Sequence, residues 1–177
     1  KAALIWAFIY LATAGLQHLQ ARNMAKMLAK SRGHEATRLV VKPTFGNTLL
    51  WRSIYAFDGR FYVDGVRPWP YRKLFEGTSI ATLNPAQDFP WLEHGSTQAL
   101  DVARFTQLSE GYVAKASDGS TRVFDVRYSF LPTETAPMWY ILLTPGAALD
   151  SHAIYATDRT SAKEKLPTLI RMITATP

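Results

Sequence analysis

The 177-residue chain is 47% hydrophobic and 19% charged, a composition typical of one folded globular domain, and this excludes a disordered chain. It contains no cysteine, which excludes disulfides, thiolate zinc sites and cysteine nucleophiles. The formal net charge is +6, and a basic cluster lies between Arg22 and Lys42 while the other basic residues are scattered among acids. This distribution favours a membrane surface as the partner, and nucleic acid is not expected.

A long apolar helix is predicted at the start of the chain, from about residue 2 to residue 32. Residues 2 to 16 carry no charge, and an amphipathic pattern then continues to Gly33, a residue type that ends helices. Fifteen helical residues rise about 22 Å, less than the ~30 Å hydrocarbon core of a bilayer. Because the chain begins with Lys1 rather than methionine, we expect more protein upstream and interpret this segment as the end of a membrane helix. A soluble helix that packs its apolar half in a core or a dimer interface remains the alternative.

After this helix the pattern changes to β-structure. Two runs rich in aromatic and branched residues flank Asp58-Gly59, which is the strongest short signal for a hairpin. Asp118-Gly119 lies between two further runs in the same way. The predicted strands are residues 37–42, 49–57, 60–66, 111–116, 121–130 and 138–144.

Two more helices are predicted in the second half of the chain. Ser96 is a suitable cap for a helix over residues 97–108. Ser161 and Glu164 match a capping box before a second apolar helix, in which Pro167 predicts a kink or a later start. The predicted fold class is α+β, in which the long helix over residues 1–32 packs against a curved antiparallel sheet built from hairpins. One domain, residues 33–177, then contains the sheet and a short C-terminal helix.

The motifs that usually identify an enzyme are missing from the sequence. The four histidines, His18, His34, His94 and His152, are far apart, and none lies in an HxH or HExxH pattern. Neither a GxSxG nucleophile elbow nor a phosphate-binding glycine loop occurs. No complete catalytic site is therefore predicted from the motifs of this chain.

A group of polar residues embedded in aromatic strands is the main candidate site. Asp125 and Arg127 are two residues apart and are expected on one face of their strand. If Arg52 lies on the facing surface, an Arg–Asp–Arg cluster follows, which serves either as a structural salt bridge or as an anion site. Trp51 precedes Arg52 directly, and Asn47 is expected to form a turn.

The same residues lie in segments that resemble a known family. The stretch PTFGNTLLWR, residues 43–52, is similar to the P-T-x-x-N-x-L-L-W-R segment of the bacterial membrane-bound metal-dependent hydrolases. Residues 109–112 (SEGY) and 125–128 (DVRY) resemble two later segments of that family, in the same order. In the usual family segment a second proline follows the threonine, whereas this chain has Phe45 there.

The resemblance implies that this chain is the C-terminal extramembrane domain of an inner-membrane protein. It implies a connection through the N-terminal helix to the protein's own N-terminal membrane half, where the family would bind a divalent metal. None of the matching positions is a metal ligand. The expected role is accessory, namely substrate or partner binding in an aqueous compartment, and the basic cluster favours the cytoplasmic side without deciding it. The candidate binding residues are Asn47, Trp51, Arg52, Asp125 and Arg127.

Three other interpretations stay open. The domain itself could hydrolyse a substrate with Asp125 and an arginine clamp. It could instead be a small-molecule module with a concave sheet, in which a pocket is lined by Trp51, Tyr55, Phe61 and Tyr112. Finally, it could be a structural domain that forms a homodimer through residues 2–16.

Overall fold

The computed structural model describes residues 1–160 and 162–176, so Ser161 of the predicted capping box lies outside the described residues. Its helices are α1 (Ala2–Ser31), α2 (Pro85–Asp88), α3 (Thr97–Leu108) and α4 (Ala162–Thr174). Its strands are β1 (Arg38–Pro43), β2 (Trp51–Phe57), β3 (Arg60–Arg67), β4 (Lys73–Phe75), β5 (Ser79–Ala81), β6 (Val113–Lys115), β7 (Arg122–Asp125), β8 (Trp139–Leu142) and β9 (Ile154–Thr157).

The predicted α+β class is confirmed, and the strands are divided between two antiparallel sheets. Sheet A has the order β1-β2-β3-β4, and β5 pairs with the other end of β3. Sheet B has the order β6-β7-β8-β9. The short elements α2, β4, β5 and β9 were not predicted, because three or four residues carry too little periodicity to distinguish them from loops.

The Asp58-Gly59 hairpin forms as predicted, between β2 and β3. Both turn residues have positive φ, 47° and 66°, as a two-residue turn of the primed type requires, and Phe57 pairs with Arg60 beside it. The strand predicted over 121–130 ends earlier, at Asp125. Its side chain accepts a hydrogen bond from the backbone N–H of Arg127, 2.9 Å away, and this local bond turns the chain out of the sheet.

The two sheets pack face to face, and each carries a helix on its outer face. Ile54 and Phe61 of sheet A meet Ala114 and Phe124 of sheet B in the central core. Helix α1 covers the other face of sheet A, and α3 covers the other face of sheet B through Val102. Helix α4, which continues through Pro167, closes the side of this sandwich. The predicted packing of the long helix on a sheet is thus observed.

Helix α1 consists of two halves in different surroundings. Its second half is fixed on sheet A by small buried residues such as Ala21 and Ala25. At its C-terminal end the guanidinium of Arg32 binds the carboxylate of Asp64 on β3 at 2.8 and 2.9 Å, and this hydrogen bond raises the pKa of Arg32. The first half, residues 2–16, is largely exposed although it is apolar. Among the described residues, α1 is the helix long and apolar enough to cross a membrane.

Candidate functional site

A cleft of about 400 Å³ opens where β1 ends, between the two sheets. Three cationic side chains line it, those of Lys42, Arg52 and Arg127. Apolar and aromatic side chains form the rest of the wall, among them Phe45, Tyr128, Met138 and Trp139. We call this the basic cleft. Its volume lies in the range of small-molecule sites, which is about 300–1,000 Å³.

Asp125 and Arg127 form a buried ion pair at one side of the basic cleft. Nε and Nη2 of Arg127 bind the two carboxylate oxygens of Asp125 at distances of 2.7 to 3.1 Å. Nη1 of Arg127 binds Glu110 at 2.7 Å, and Nη2 also reaches the carbonyl of Leu108. Burial opposes the charge on Arg127, but the bonds to Asp125 and Glu110 outweigh it and raise the pKa of Arg127.

The role of this pair is structural, because its carboxylate is fully engaged. Asp125 is 4% exposed and both of its oxygens accept hydrogen bonds from Arg127. A general base needs a free lone pair directed at the substrate proton. Asp125 in this geometry holds the turn at residues 125–127 and supports Arg127.

Arg52 lies in a different environment, although both arginines are buried. Its guanidinium donates only to backbone carbonyls, those of Val126 at 2.8 and 3.2 Å, Leu131 at 3.1 Å and Pro132 at 2.9 Å. The predicted Arg–Asp–Arg cluster is therefore not a hydrogen-bonded unit, and Asp125 acts on Arg52 only through its longer-range charge. Burial lowers the pKa of Arg52 to about 9, so the side chain stays protonated at neutral pH.

Lys42 is the cross-strand neighbour of Arg52. The two residues are directly paired between β1 and β2, so their side chains lie on one face of sheet A. Two like charges in that position repel each other and destabilise the sheet. The ammonium of Lys42 donates to the hydroxyl of Tyr128 at 2.8 Å, which is a neutral partner. Asp125 and Glu110 bind Arg127, and Asp125 and Glu134 act on Arg52 through their charges, whereas Lys42 makes no salt bridge to a carboxylate of the described residues.

An unused hydroxyl lies in the same cleft. Oγ of Ser129 is buried and has no hydrogen-bond partner among the described residues. A buried polar atom in that state costs about 1–3 kcal/mol unless a ligand or water satisfies it. Beside it the rings of Tyr128 and Trp139 lie 4.5 Å apart and form an aromatic wall. The cleft thus combines uncompensated positive charge, a free hydroxyl and an apolar wall.

Asn47 and Trp51 belong to the framework of the cleft. The side-chain oxygen of Asn47 accepts from the backbone N–H groups of Leu49 and Leu50 at 3.0 and 2.8 Å, and its amide donates to Thr44 at 2.8 Å. This is the turn-forming role predicted for it. Trp51 is buried under α1, with its ring 5.3 Å from that of His18. Of the five predicted binding residues, only Arg52 and Arg127 line the cleft.

The concave pocket considered in the sequence does not form from the residues expected to line it. All four side chains are buried, and they lie in three different places. Trp51 packs under α1, Tyr55 binds the guanidinium of Arg32, and Phe61 and Tyr112 lie in the core between the sheets. A larger apolar cavity of about 760 Å³ lies elsewhere, between α2 and α3, where Phe89 and Val102 are among its walls and His94 is its titratable group. The pattern around residues 84–94 gave no signal for it.

The described residues were compared with the side-chain groups that usually hold a metal ion. No three His, Asp or Glu side chains come together in residues 1–160 and 162–176. His152 and Asp101 form a pair near the surface, in which Nδ1 of His152 and a carboxylate oxygen of Asp101 are 2.9 Å apart. The backbone N–H of Ala153 binds the same oxygen at 3.0 Å. Burial raises the pKa of Asp101, but the bonds from Ala153 and His152 outweigh it, so the pKa is lowered overall.

Comparison with known proteins adds no relative to these observations, since no family model, no curated protein and no solved structure matches the chain. The interpretation of the site therefore depends on its geometry.

Sequence reasoning missed Lys42, Ser129 and Trp139. Lys42 could have been found by pairing the first two predicted strands as a hairpin. A register that pairs Pro43 with Trp51 places Lys42 opposite Arg52. The Asp58-Gly59 turn fixes only the register of β2 and β3, so it gave no information about β1. Ser129 and Trp139 come from loops and strands of the other sheet. Their position depends on how the sheets pack, and the sequence carries no direct signal for that.

Proposed function

We propose that this chain is the extramembrane domain of a membrane-anchored protein, related to the bacterial membrane-bound metal-dependent hydrolases. In this proposal its role is accessory, namely to bind a substrate or partner at the basic cleft. The resemblance implies that any catalytic metal would be held by the N-terminal membrane half of the protein.

The observation that carries the anchoring is the division of α1. Its second half is packed on sheet A and tied to it by Arg32 and Asp64. Its first half exposes large apolar side chains continuously, with Trp6 and Phe8 more than 70% exposed. Leaving such a surface in water is unfavourable by roughly 25 cal/mol per Å². A bilayer would cover it while the rest of the domain stays outside.

The chemistry of the basic cleft supports a ligand class. Lys42 and Arg52 repel each other until an anion lies between them, and Oγ of Ser129 offers a further hydrogen bond. The wall of Tyr128 and Trp139 suits an apolar or aromatic group. The proposed ligand is therefore a carboxylate or phosphate attached to an apolar body.

Membrane anchoring is tested by fractionation of the full chain expressed in bacteria. The wild type is expected in the membrane pellet after carbonate extraction. A variant with Ile5→Asp and Ile9→Asp, two exposed positions on the apolar half, is expected in the soluble fraction with an unchanged circular dichroism spectrum. A wild type that is fully soluble and monomeric would remove the basis for the anchor.

Ligand binding is tested by the thermal midpoint of the full chain in detergent. Phenyl phosphate at 100 times its Kd should stabilise the fold by about 2.7 kcal/mol, whereas phenol should not. Lys42→Gln should abolish the shift. Arg60→Gln, which removes an exposed cation at the opposite end of sheet A, is the matched control and should leave it intact. A phosphate effect that is equal in both variants would mean nonspecific screening.

A structural homodimer is the second candidate, because the same exposed half of α1 could pack against a second copy. Sedimentation of the chain without detergent separates the two. A defined soluble dimer, dissociated by Ile5→Asp and Ile9→Asp, would favour the homodimer over the anchor.

A further inference from the structure

The end of sheet A that faces the exposed half of α1 has a distinctive surface. Two loops lie there, since Pro43 pairs with Trp51 across the β1–β2 loop and Arg67 pairs with Lys73 across the β3–β4 loop. The ring of His18 packs on Trp51, and the C-terminal end of α1 binds β2 and β3 nearer the opposite end of the sheet through Arg32. The helix therefore leaves the domain at this end.

Exposed aromatic side chains lie on both loops. Phe45 is on the β1–β2 loop, and Trp69 and Tyr71 are on the β3–β4 loop; each is about half exposed or more. β1 and β4 are separated by two strands, so the loops are roughly 10–15 Å apart at the usual ~4.8 Å strand spacing. Trp and Tyr are enriched at the level of lipid headgroups, because their rings are apolar with one polar atom.

The charged residues of the two loops and of the strand ends beside them have one sign. Arg72 is exposed on the β3–β4 loop and Lys73 is exposed at the start of β4, and Lys42 precedes Pro43, the last residue of β1. Neither residues 42–52 nor residues 66–73 contain an acidic residue, and the first acidic residue of the chain is Glu35. Basic residues beside a membrane helix are attracted to anionic lipids.

We propose that this end of the domain, formed by Phe45, Trp69, Tyr71, Arg72 and Lys73, docks on an anionic lipid surface. We call it the docking face. The inference rests on the proposed membrane anchoring, which places the lipid surface at the level where α1 leaves sheet A. Residues 2–16, which are exposed except for the half-buried Ala14, extend about 22 Å beyond this level and would lie in the bilayer.

The docking face also determines how a ligand reaches the basic cleft. Phe45 belongs to both the docking face and the basic cleft. Lys42 lines the cleft from β1, the strand that leads into the β1–β2 loop. When the face is docked, the cleft opens next to the headgroup layer. An anionic amphiphile could then enter from the membrane without crossing water.

The test uses the absence of cysteine from the chain, which permits single labelling sites. Tyr71→Cys reports the docking face, Ile9→Cys reports the apolar half of α1, and Ala36→Cys reports the opposite end of sheet A, where Ala36 is exposed. Each full-length variant carries the same environment-sensitive fluorophore and is reconstituted in vesicles of phosphatidylcholine and phosphatidylglycerol. Lipids with a nitroxide on the headgroup or the acyl chain act as quenchers.

The expected result is quenching at position 71 by headgroup nitroxide and at position 9 by acyl-chain nitroxide, with position 36 unquenched. Changing Arg72→Gln and Lys73→Gln together should lower the ratio of docked to undocked domain by about 30-fold, near fivefold for each charge. Vesicles without phosphatidylglycerol, or 1 M salt with its Debye length of about 3 Å, should act in the same direction.

Other outcomes separate this proposal from the anchoring. Quenching at position 9 but not at position 71 would overturn the docking face and leave the anchor intact. Quenching at position 71 alone would support docking and overturn the anchor. Quenching at neither position would overturn both, and energy transfer between two labelled copies would then indicate a dimer as the occupant.

Discussion

Arg127 and Arg52 both line one cleft, and their surroundings differ in kind. Arg127 is paired with Asp125 and Glu110, so its charge is compensated by carboxylates within hydrogen-bond distance. Arg52 is surrounded by backbone carbonyls and has the cationic Lys42 as its cross-strand neighbour. Both side chains are buried, but their electrostatic surroundings differ. An arginine that is hydrogen-bonded to carboxylates holds the fold, whereas one without a hydrogen-bonded carboxylate retains more attraction for an anion that comes from outside.

The largest expected effect is the loss of stability when Arg127 loses its buried carboxylate partner. Asp125→Ala removes both carboxylate oxygens from a buried guanidinium, and it should lower the free energy of unfolding by about 3–5 kcal/mol. Glu110→Gln, whose side chain is mostly exposed, should cost at most about 1 kcal/mol. Urea unfolding measures both. Similar small losses for the two variants would show that Arg127 does not depend on its buried partner.

Arg52→Lys tests how much the hydrogen bonds from Arg52 to backbone carbonyls contribute to stability. Lysine keeps the charge but not the planar fork, so some of the carbonyls of Val126, Leu131 and Pro132 lose their donor. The expected loss is about 1–3 kcal/mol in the same unfolding measurement. An unchanged midpoint would mean that water replaces the guanidinium without cost.

Much of the fold follows from local signals, and the prediction of α1, the Asp58-Gly59 hairpin and α3 illustrates this. Each depends on residues close together in the chain. Helix α1 follows from its apolar pattern, and the hairpin follows from two residues that adopt positive φ. Helix α3 begins where Oγ of Ser96 accepts from the N–H of Ala99 at 3.3 Å. The end of β7 was placed wrongly because the bond between Asp125 and Arg127 competes with the strand, whereas strand propensity alone favours continuation through Val126 and Tyr128.

Lys42→Gln is expected to change stability and ligand affinity in opposite directions, because it removes the like charge beside Arg52. It keeps a donor for Tyr128 but relieves the repulsion with Arg52, so the free protein should gain up to about 1 kcal/mol in unfolding free energy. Affinity for phenyl phosphate should fall in the same variant. A loss of stability instead would mean that Lys42 is a structural residue whose charge is already compensated.

The smallest effect is expected at the surface pair of Asp101 and His152. The pKa of Asp101 is lowered in the folded protein, so its contribution is present above its ordinary value of 3.8 and is lost as pH falls through the folded value. Asp101→Asn should cost at most about 1 kcal/mol at pH 6 and nothing at the most acidic pH. Unfolding measured from pH 6 to pH 2 checks this. A constant difference over that range would exclude ionisation as the cause.

The candidate site could be predicted only in part. The sequence pointed to Arg52, Asp125 and Arg127, because charged residues between aromatic ones in a strand require partners. It did not indicate which of the two arginines the carboxylate of Asp125 would bind. That choice follows from the turn at residues 125–127, which keeps Asp125 beside Arg127 and presents the carbonyl of Val126 to Arg52.

The amino-acid sequence by itself determined the long helix with its apolar first half, the hairpins and the α+β class, because these depend on periodicity and on turn residues close together in the chain. The tertiary structure alone decided that the strands form two facing sheets, that Lys42 and Arg52 share a cleft with Ser129 and Trp139, and that the aromatic loops lie where α1 leaves the domain. These features bring together residues up to 97 positions apart, from Lys42 to Trp139. Such contacts arise from packing between elements, for which no local pattern in the chain is a signal.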